Sequence, residues 1–148
     1  MSVESFLDTN ILVYASAADA TEVGKREIAL QLIEREQFAL SAQVLQEFFV
    51  TVTRKLERPM SSDQAMEWIE QLEVFPCMPI DAALVKIAVE ISARFRISYW
   101  DGAIIGAALR AGARTLFSED LHHGQNYDGV RVVNPFYRES ALIQDGAE

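Results

Sequence analysis

The stretch SFLDTNILVY, residues 5–14, carries the pattern from which the fold can be predicted. The apolar residues at 3–7 indicate a buried strand, and 10–17 indicate a short helix with Thr9 or Asn10 as its expected N-cap. Asp8 stands between these two elements. A carboxylate beside core-forming residues is unfavourable unless a partner compensates its charge. Asp8 is therefore either a turn residue that accepts backbone hydrogen bonds or part of a functional site.

Strand and helix signals alternate along the rest of the chain. We predict helices over 21–36, 43–56, 61–73, 81–95 and 98–111, and strands over 38–41, 115–117 and 130–133. The expected caps are Thr21, 61–63, Asp81, Ser98 and, at a helix C-terminus, Gly112. Residues 74–80 contain two prolines and fit only an edge strand or a loop. This alternation predicts an α/β fold whose mainly parallel sheet is covered on both faces.

Length and composition are those of one globular domain. The 148 residues are 50% hydrophobic and 24% charged, which predicts a single domain over 1–143 and a frayed tail over 144–148. No apolar run is long enough to span a membrane, and residues 1–4 lack the basic region of a signal peptide. The single cysteine, Cys77, excludes an intrachain disulfide and is expected in the core. We therefore expect a cytoplasmic protein.

The net charge of −9 limits the ways in which the chain can bind nucleic acid. Phosphate contacts usually require a basic surface, so a purely electrostatic nucleic-acid binder is disfavoured. A nuclease is still compatible with this charge, since bound metal ions can neutralise an acidic site. Zinc-type cysteine and histidine patterns, a Walker loop and a G-x-G-x-x-G motif are all absent from the sequence.

Three further acids occur in apolar surroundings. Glu47 lies at the edge of the apolar face of its predicted helix, where an ordinary amphipathic residue would also fit. Asp101 lies on the apolar face of the last helix, although a capping box with Ser98 is an alternative reason for an acid there. Asp120 follows a predicted strand and, alone, would be a solvated loop charge.

Taken together, the four acids predict a metal site. In parallel sheets, ligands bind beyond the C-terminal ends of the strands, where Asp8 and Asp120 are expected. Carboxylates brought close together raise one another's pKa values, and a divalent cation removes that penalty. Mg²⁺ and Mn²⁺ prefer such oxygen ligands and can activate water for phosphodiester cleavage. A metal-dependent hydrolase, and specifically a nuclease, is the function that this pattern favours. The neighbouring aromatic pair Tyr99 and Trp100 is expected in the core rather than as a base-stacking platform.

Four segments resemble the PIN-domain family, and within it the VapC-like toxin ribonucleases of bacterial toxin–antitoxin pairs. They are LDTNILVY at 7–14, VLQEF at 44–48, SYWDGAII at 98–105 and LFSEDL at 116–121. The resemblance covers nearly the whole chain and implies a three-layer α/β/α sandwich. It also implies an endoribonuclease that uses Mg²⁺, or Mn²⁺ as a substitute, forms homodimers and is inhibited by a cognate antitoxin.

The same resemblance assigns roles to individual residues. Its metal-binding and catalytic acids fall on Asp8, Glu47, Asp101 and Asp120. Asn10 and Ser118 correspond to polar residues that orient the carboxylates. Gly102 departs from the family pattern, because many relatives have alanine there.

Other interpretations of the residues stay open. Arg54, Lys55 and Arg58 could guide an RNA backbone or could be ordinary solvated surface. A phosphatase of the haloacid-dehalogenase type would use Asp8 as its nucleophile, but the segment 8–10 lacks the second aspartate expected there. A non-catalytic module that binds a protein or RNA is the third possibility, and the presence of all four acids argues against it.

Overall fold

A computed structural model describes residues 3–17 and 23–137. The strands are β1 (Ser5–Leu7), β2 (Phe38–Ser41), β3 (Cys77–Met78), β4 (Thr115–Phe117), β5 (Asn126–Tyr127) and β6 (Val130–Val133). The helices are α1 (Thr9–Ser16), α2 (Val23–Arg35), α3 (Ala42–Arg54), α4 (Ser62–Leu72), α5 (Ala82–Phe95) and α6 (Tyr99–Ala111). Most bounds agree with the predicted ones within two residues. The expected cap Thr21 and the predicted tail 144–148 lie outside the described residues.

The strands form one six-stranded sheet in the order β3-β2-β1-β4-β6-β5. Every neighbouring pair is parallel except β5 and β6. The predicted α/β/α sandwich with a mainly parallel sheet is confirmed. Leu7 pairs with Phe117, so β1 and β4 end side by side at the same edge of the sheet. The residues that follow these two strands therefore begin close together, which is what positions the site.

Helix α6 is the most deeply buried helix of the described chain. Its residues 102–108 are all buried, and it packs on β1, β2, β3 and β6. Helix α5 packs on α6. Among the other helices, α1 packs on α2 and α3, and α3 packs on α4 and on β2. Large side chains fill the core between these layers, among them Phe6, Phe38, Phe48, Ile105 and Leu116. Their burial supplies the main free energy that holds the sandwich together.

Gly102 permits the close approach of α6 and α5. A Cβ atom at this position would lie 2.7 Å from the carbonyl oxygen of Ala88 and 3.2 Å from the backbone nitrogen of Ser92. Backbone atoms cannot move aside as the end of a flexible side chain can. Glycine at 102, where the resemblance expects alanine, therefore leaves room for this close helix contact.

Two expectations about local structure were wrong, and one strand was missed. Asp8 itself is the N-cap of α1, in place of Thr9 or Asn10, because its extended backbone brings its carboxylate to the Thr9 N–H. Cys77 is exposed, since β3 is an edge strand with an open face. Strand β5 was not predicted, although the sequence Asp128-Gly129 before β6 is a strong hairpin signal. Both of these turn residues have positive φ, 54° and 101° respectively, as a type I′ turn requires.

The other predicted caps and breaks are present. Ser61 closes a capping box with Gln64, Asp81 caps α5, and Ser98 caps α6. Gly112 ends α6 in the left-handed conformation, with φ of 79°. Within residues 3–17 and 23–137, no helix is long and apolar enough to cross a membrane.

Candidate active site

A cavity of about 440 Å³ lies beyond the C-terminal ends of β1 and β4. The structure brings all four acids singled out in the sequence to its wall: Asp8, Glu47, Asp101 and Asp120. They come from the end of β1, the middle of α3, the first turn of α6 and the loop after β4. Acids that lie 19 to 112 positions apart in the sequence thus converge, because parallel strands end at one edge.

Asp8 is the most deeply buried of these acids, with 7% of its surface exposed. Its carboxylate accepts hydrogen bonds from the Thr9 N–H and the Ser118 hydroxyl, each at 2.7 Å. Burial raises the pKa of Asp8 from 3.8 to about 6, although both hydrogen bonds act to lower it. Repulsion from Asp120 and Glu47 raises the pKa of Asp8 further but is a smaller cause than burial. The expected mutual repulsion of the acids thus contributes to the raised pKa of Asp8, while desolvation is the larger cause.

Glu47 is half-buried, at the rim of the apolar face, as its position on the helix predicted. Its Oε1 accepts a hydrogen bond of 2.8 Å from the Thr9 hydroxyl. Thr9 therefore touches two acids, through its backbone N–H to Asp8 and through its side chain to Glu47. Thr51, one helical turn after Glu47 on α3, lines the cavity as well. Thr9 was considered only as a cap, and nothing local in the sequence signals its contact with α3.

Asn10 and Ser118 tie the β4 loop to the start of α1. The Asn10 amide donates to Asp120 Oδ2 at 2.9 Å and accepts from the Glu119 N–H at 3.2 Å. The Ser118 hydroxyl donates to Asp8 and accepts from the N–H groups of Asp120 and Leu121, at 3.2 and 3.3 Å. Buried Ser118 thus uses its donor and its acceptor capacity at once. Both residues contact the acids that they were expected to orient.

A second layer of contacts, which sequence reasoning missed, holds the same loop. Lys25 Nζ lies 2.5 Å from Glu119 Oε2 and 3.2 Å from the Tyr14 hydroxyl. That hydroxyl donates to Glu119 Oε1 at 2.6 Å. Phe136 packs edge-to-face on the Tyr14 ring, 5.1 Å away. Glu119 is held between α1 and α2, and its neighbours Ser118 and Asp120 are positioned with it.

Asp101 is half-buried in the first turn of α6, where its N–H donates to the Ser98 hydroxyl. The expectation that its neighbour Trp100 lies in the core was wrong, because 65% of Trp100 is exposed. Trp100 lines the cavity beside Asp101. Tyr99, in contrast, is half-buried. The first turn of α6 thus contributes both Trp100 and Asp101 to the wall of the cavity, so a large side chain there faces the cavity rather than the core.

Among the described residues that line the cavity, none is a lysine, arginine or histidine. Arg54, Lys55 and Arg58 are exposed at and after the end of α3 and do not reach the wall, whereas Leu56 of the same segment does. Within the described chain, no three acidic, histidine or cysteine side chains are arranged as a ready metal cage. The donor set nevertheless fits a hard divalent cation, since it consists of carboxylate oxygens around a buried charge that no basic side chain compensates.

Comparison with known proteins identifies the family. The PIN domain family model matches residues 5–127, and the chain belongs to this family. VapC20 of Mycobacterium tuberculosis, described as a sarcin–ricin loop cleaving toxin, is 18% identical, with a TM-score of 0.63 over 79% of this chain and 90% of that one. A toxin–antitoxin complex from Klebsiella pneumoniae gives 20% identity and a TM-score of 0.68, covering 91% of this chain and 100% of that one. FitAcB from Neisseria gonorrhoeae gives 20% identity and a TM-score of 0.59, covering 90% and 99%. No curated protein matches by sequence.

Proposed function

We propose that this chain is a divalent-metal-dependent endoribonuclease and the toxin of a toxin–antitoxin pair. The observation that carries the proposal is the convergence of Asp8, Glu47, Asp101 and Asp120 on one cavity without a basic side chain in its described wall. Such a wall repels RNA phosphates unless cations bind first. Mg²⁺, with Mn²⁺ as a substitute, is the cation that this oxygen donor set suits.

The residues of the chain have separable tasks in this proposal. Asp8, Glu47 and Asp101 would hold the cation, and Asp120 would support it or a second ion. When bound, the cation supplies a water of lowered pKa and neutralises charge on the phosphodiester. Thr9, Asn10 and Ser118 fix the carboxylate orientations through the hydrogen bonds that they make. Protein side chains need not act as the nucleophile.

The contacts of Lys25 weigh against the phosphatase alternative. That reaction requires a lysine near the phosphate that Asp8 would attack, and Lys25, Lys55 and Lys86 are the only lysines of the chain. Lys25 is bonded to Glu119 and Tyr14, and none of the three lines the cavity. The geometry therefore favours metal-assisted hydrolysis over a phospho-aspartate.

The substrate and partners follow from the proposed family role. Single-stranded or looped RNA is the expected substrate, because its backbone and bases are accessible. Arg54, Lys55 and Arg58 are proposed to guide the RNA backbone outside the cavity rather than within it. By analogy with the toxin–antitoxin complex named above, the protein would be inhibited by a cognate antitoxin, which we propose covers the cavity. The family resemblance adds the proposals that it acts in the cytoplasm and forms a homodimer.

Cleavage of a mixed pool of end-labelled RNA by the purified, antitoxin-free protein tests the proposal. The protein is assayed with Mg²⁺, Mn²⁺ or EDTA, beside the variants Asp8→Asn, Glu47→Gln and Asp101→Asn. Glu70→Gln, at an exposed position of α4, is the matched control for Glu47→Gln. We expect discrete cuts with either metal, no cuts in EDTA or in the three site variants, and full activity in the control. Cuts that persist in folded site variants would disprove the assignment.

A further inference from the structure

We propose that Trp100 is a stacking platform for a nucleobase of the bound RNA, beside the phosphodiester that is cleaved. This proposal rests on the proposed function and adds a binding subsite to it. Its starting point is the exposure of Trp100, 65% of whose surface is in contact with solvent. Trp100 is the only tryptophan among the described residues that line the acidic cavity.

The location of Trp100 differs from that of the other exposed apolar side chains. Of the large hydrophobic residues that are exposed in the described chain, it alone lines the cavity. Trp68, the second tryptophan, is half-buried on α4. An exposed tryptophan gains much when a flat apolar partner covers it, since it offers a large surface at a small loss of conformational freedom.

The backbone and ring of Trp100 are held by neighbouring side chains. Gln43, which is 7% exposed, donates from Nε2 to the Trp100 carbonyl oxygen at 3.2 Å. The Tyr99 ring lies edge-to-face against the indole, with 5.0 Å between centroids and 84° between planes. The platform is therefore braced within the same helical turn that carries Asp101. A base stacked on it would place its own phosphate near the acids.

The side chains of the cavity wall favour contact with a base of the RNA over contact with its phosphates. Because no basic side chain lines the described cavity, protein–phosphate attraction there is weak and stacking becomes a main source of affinity. Every base has a π-face, so such a contact suits single-stranded RNA of many sequences. Duplex RNA would keep its bases stacked on each other, so the subsite predicts a preference for unpaired RNA.

Intrinsic fluorescence can report on Trp100 directly. Trp68→Phe leaves Trp100 as the single tryptophan of the chain, and Trp100→Phe leaves Trp68. Both proteins are titrated with a short single-stranded RNA, with Ca²⁺ in place of Mg²⁺ to slow hydrolysis. We expect the RNA to quench the fluorescence of Trp100 and to leave that of Trp68 unchanged. Equal signals from both tryptophans, or none from Trp100 while the RNA is bound, would overturn the platform.

Cleavage kinetics separate the platform from the proposed nuclease itself. Trp100→Ala is expected to raise KM roughly 5- to 100-fold, the range of a lost base–aromatic stack, while Trp100→Phe keeps most of the affinity. An abasic site at the stacked position should remove the difference between wild type and Trp100→Ala.

If the wild type cleaves RNA and Trp100→Ala has the same KM, the platform is wrong and the nuclease stands. If the wild type cleaves no RNA, both proposals fail. A change of Trp100 fluorescence on self-association without RNA would assign the ring to a protein interface instead.

Discussion

Replacing Asp8 by asparagine should stabilise the metal-free protein at neutral pH. Burial raises the pKa of Asp8 from 3.8 to about 6, so its ionised form is disfavoured in the folded state. A shift of this size corresponds to about 3 kcal/mol at pH 7.5, because each pKa unit is worth about 1.4 kcal/mol. Asparagine has one acceptor oxygen for the two donors, Thr9 N–H and Ser118 Oγ–H, and losing one hydrogen bond costs about 1 kcal/mol. The net gain is about 2 kcal/mol.

The sign of the pH dependence follows from the same shift. The folded protein binds its Asp8 proton more tightly than the unfolded chain does, so the stability due to this proton is fully present below about pH 4. That stability is lost as the pH rises from about 4 through about 6. The advantage of Asp8→Asn over wild type should therefore grow over this window, and at its acidic end the lost hydrogen bond should leave the variant about 1 kcal/mol less stable than wild type.

Urea unfolding in EDTA at pH 4.5 and 7.5 measures both effects. Thermal unfolding in EDTA at pH 7.5 should give Asp8→Asn a melting temperature about 4–8 °C above that of wild type. Mg²⁺ should reverse the order, since only the carboxylate gains from the cation. Asp63→Asn, at an exposed position in the first turn of α4, serves as control and should change stability by less than about 0.5 kcal/mol. An Asp8→Asn variant that is less stable than wild type in EDTA at pH 7.5 would refute the reasoning.

Three further substitutions test the supports of the site. Gly102→Ala should destabilise the protein by about 1–3 kcal/mol in urea unfolding, because its methyl group meets backbone atoms, whereas Gly24→Ala on exposed α2 should be neutral or stabilising. Equal effects of the two would exclude the close helix contact. Thr9→Val should weaken apparent Mg²⁺ affinity about tenfold in a metal titration of cleavage, since Glu47 loses its hydrogen bond; unchanged affinity would remove Thr9 from the site. Because Glu119 is partly exposed, Glu119→Gln should lower the free energy of unfolding by only about 1 kcal/mol. It should nevertheless reduce kcat, since the ion pair with Lys25 holds the loop after β4. An unchanged kcat would mean that the site does not depend on this ion pair.

Much of the fold could be predicted because its signals are local. The strand 38–41 and the helix ends at Ser98 and Gly112 depend on short-range patterning and capping, and the structure has them where the sequence put them. The prolines in 74–80 left an edge strand or a loop open, and the structure has the edge strand β3 there. Strand β5 was missed because its two residues carry no periodicity, and only the turn after it is distinctive.

The acids of the site could be predicted from the sequence, whereas the hydrogen bonds and ion pairs that hold them could not. The four acids stand out because each has apolar neighbours, and the sheet edge gathers them. The contacts of Thr9 with α3 and of Lys25 with the β4 loop join residues 38 and 94 positions apart, which no local pattern encodes. Trp100 was assigned to the core from its residue type alone. Its exposure depends on the first turn of α6 lying at the wall of the cavity, a tertiary property.

The most direct test of the central claim is the rate of RNA cleavage as a function of Mg²⁺ concentration, for wild type and for Asp101→Asn of demonstrated fold. We expect the wild-type rate to rise and saturate with Mg²⁺, to fall to background in EDTA, and to be absent from Asp101→Asn at every concentration. Cleavage that is independent of Mg²⁺, or equal in the two proteins, would contradict the assignment of this acidic cavity as a metal-dependent nuclease centre.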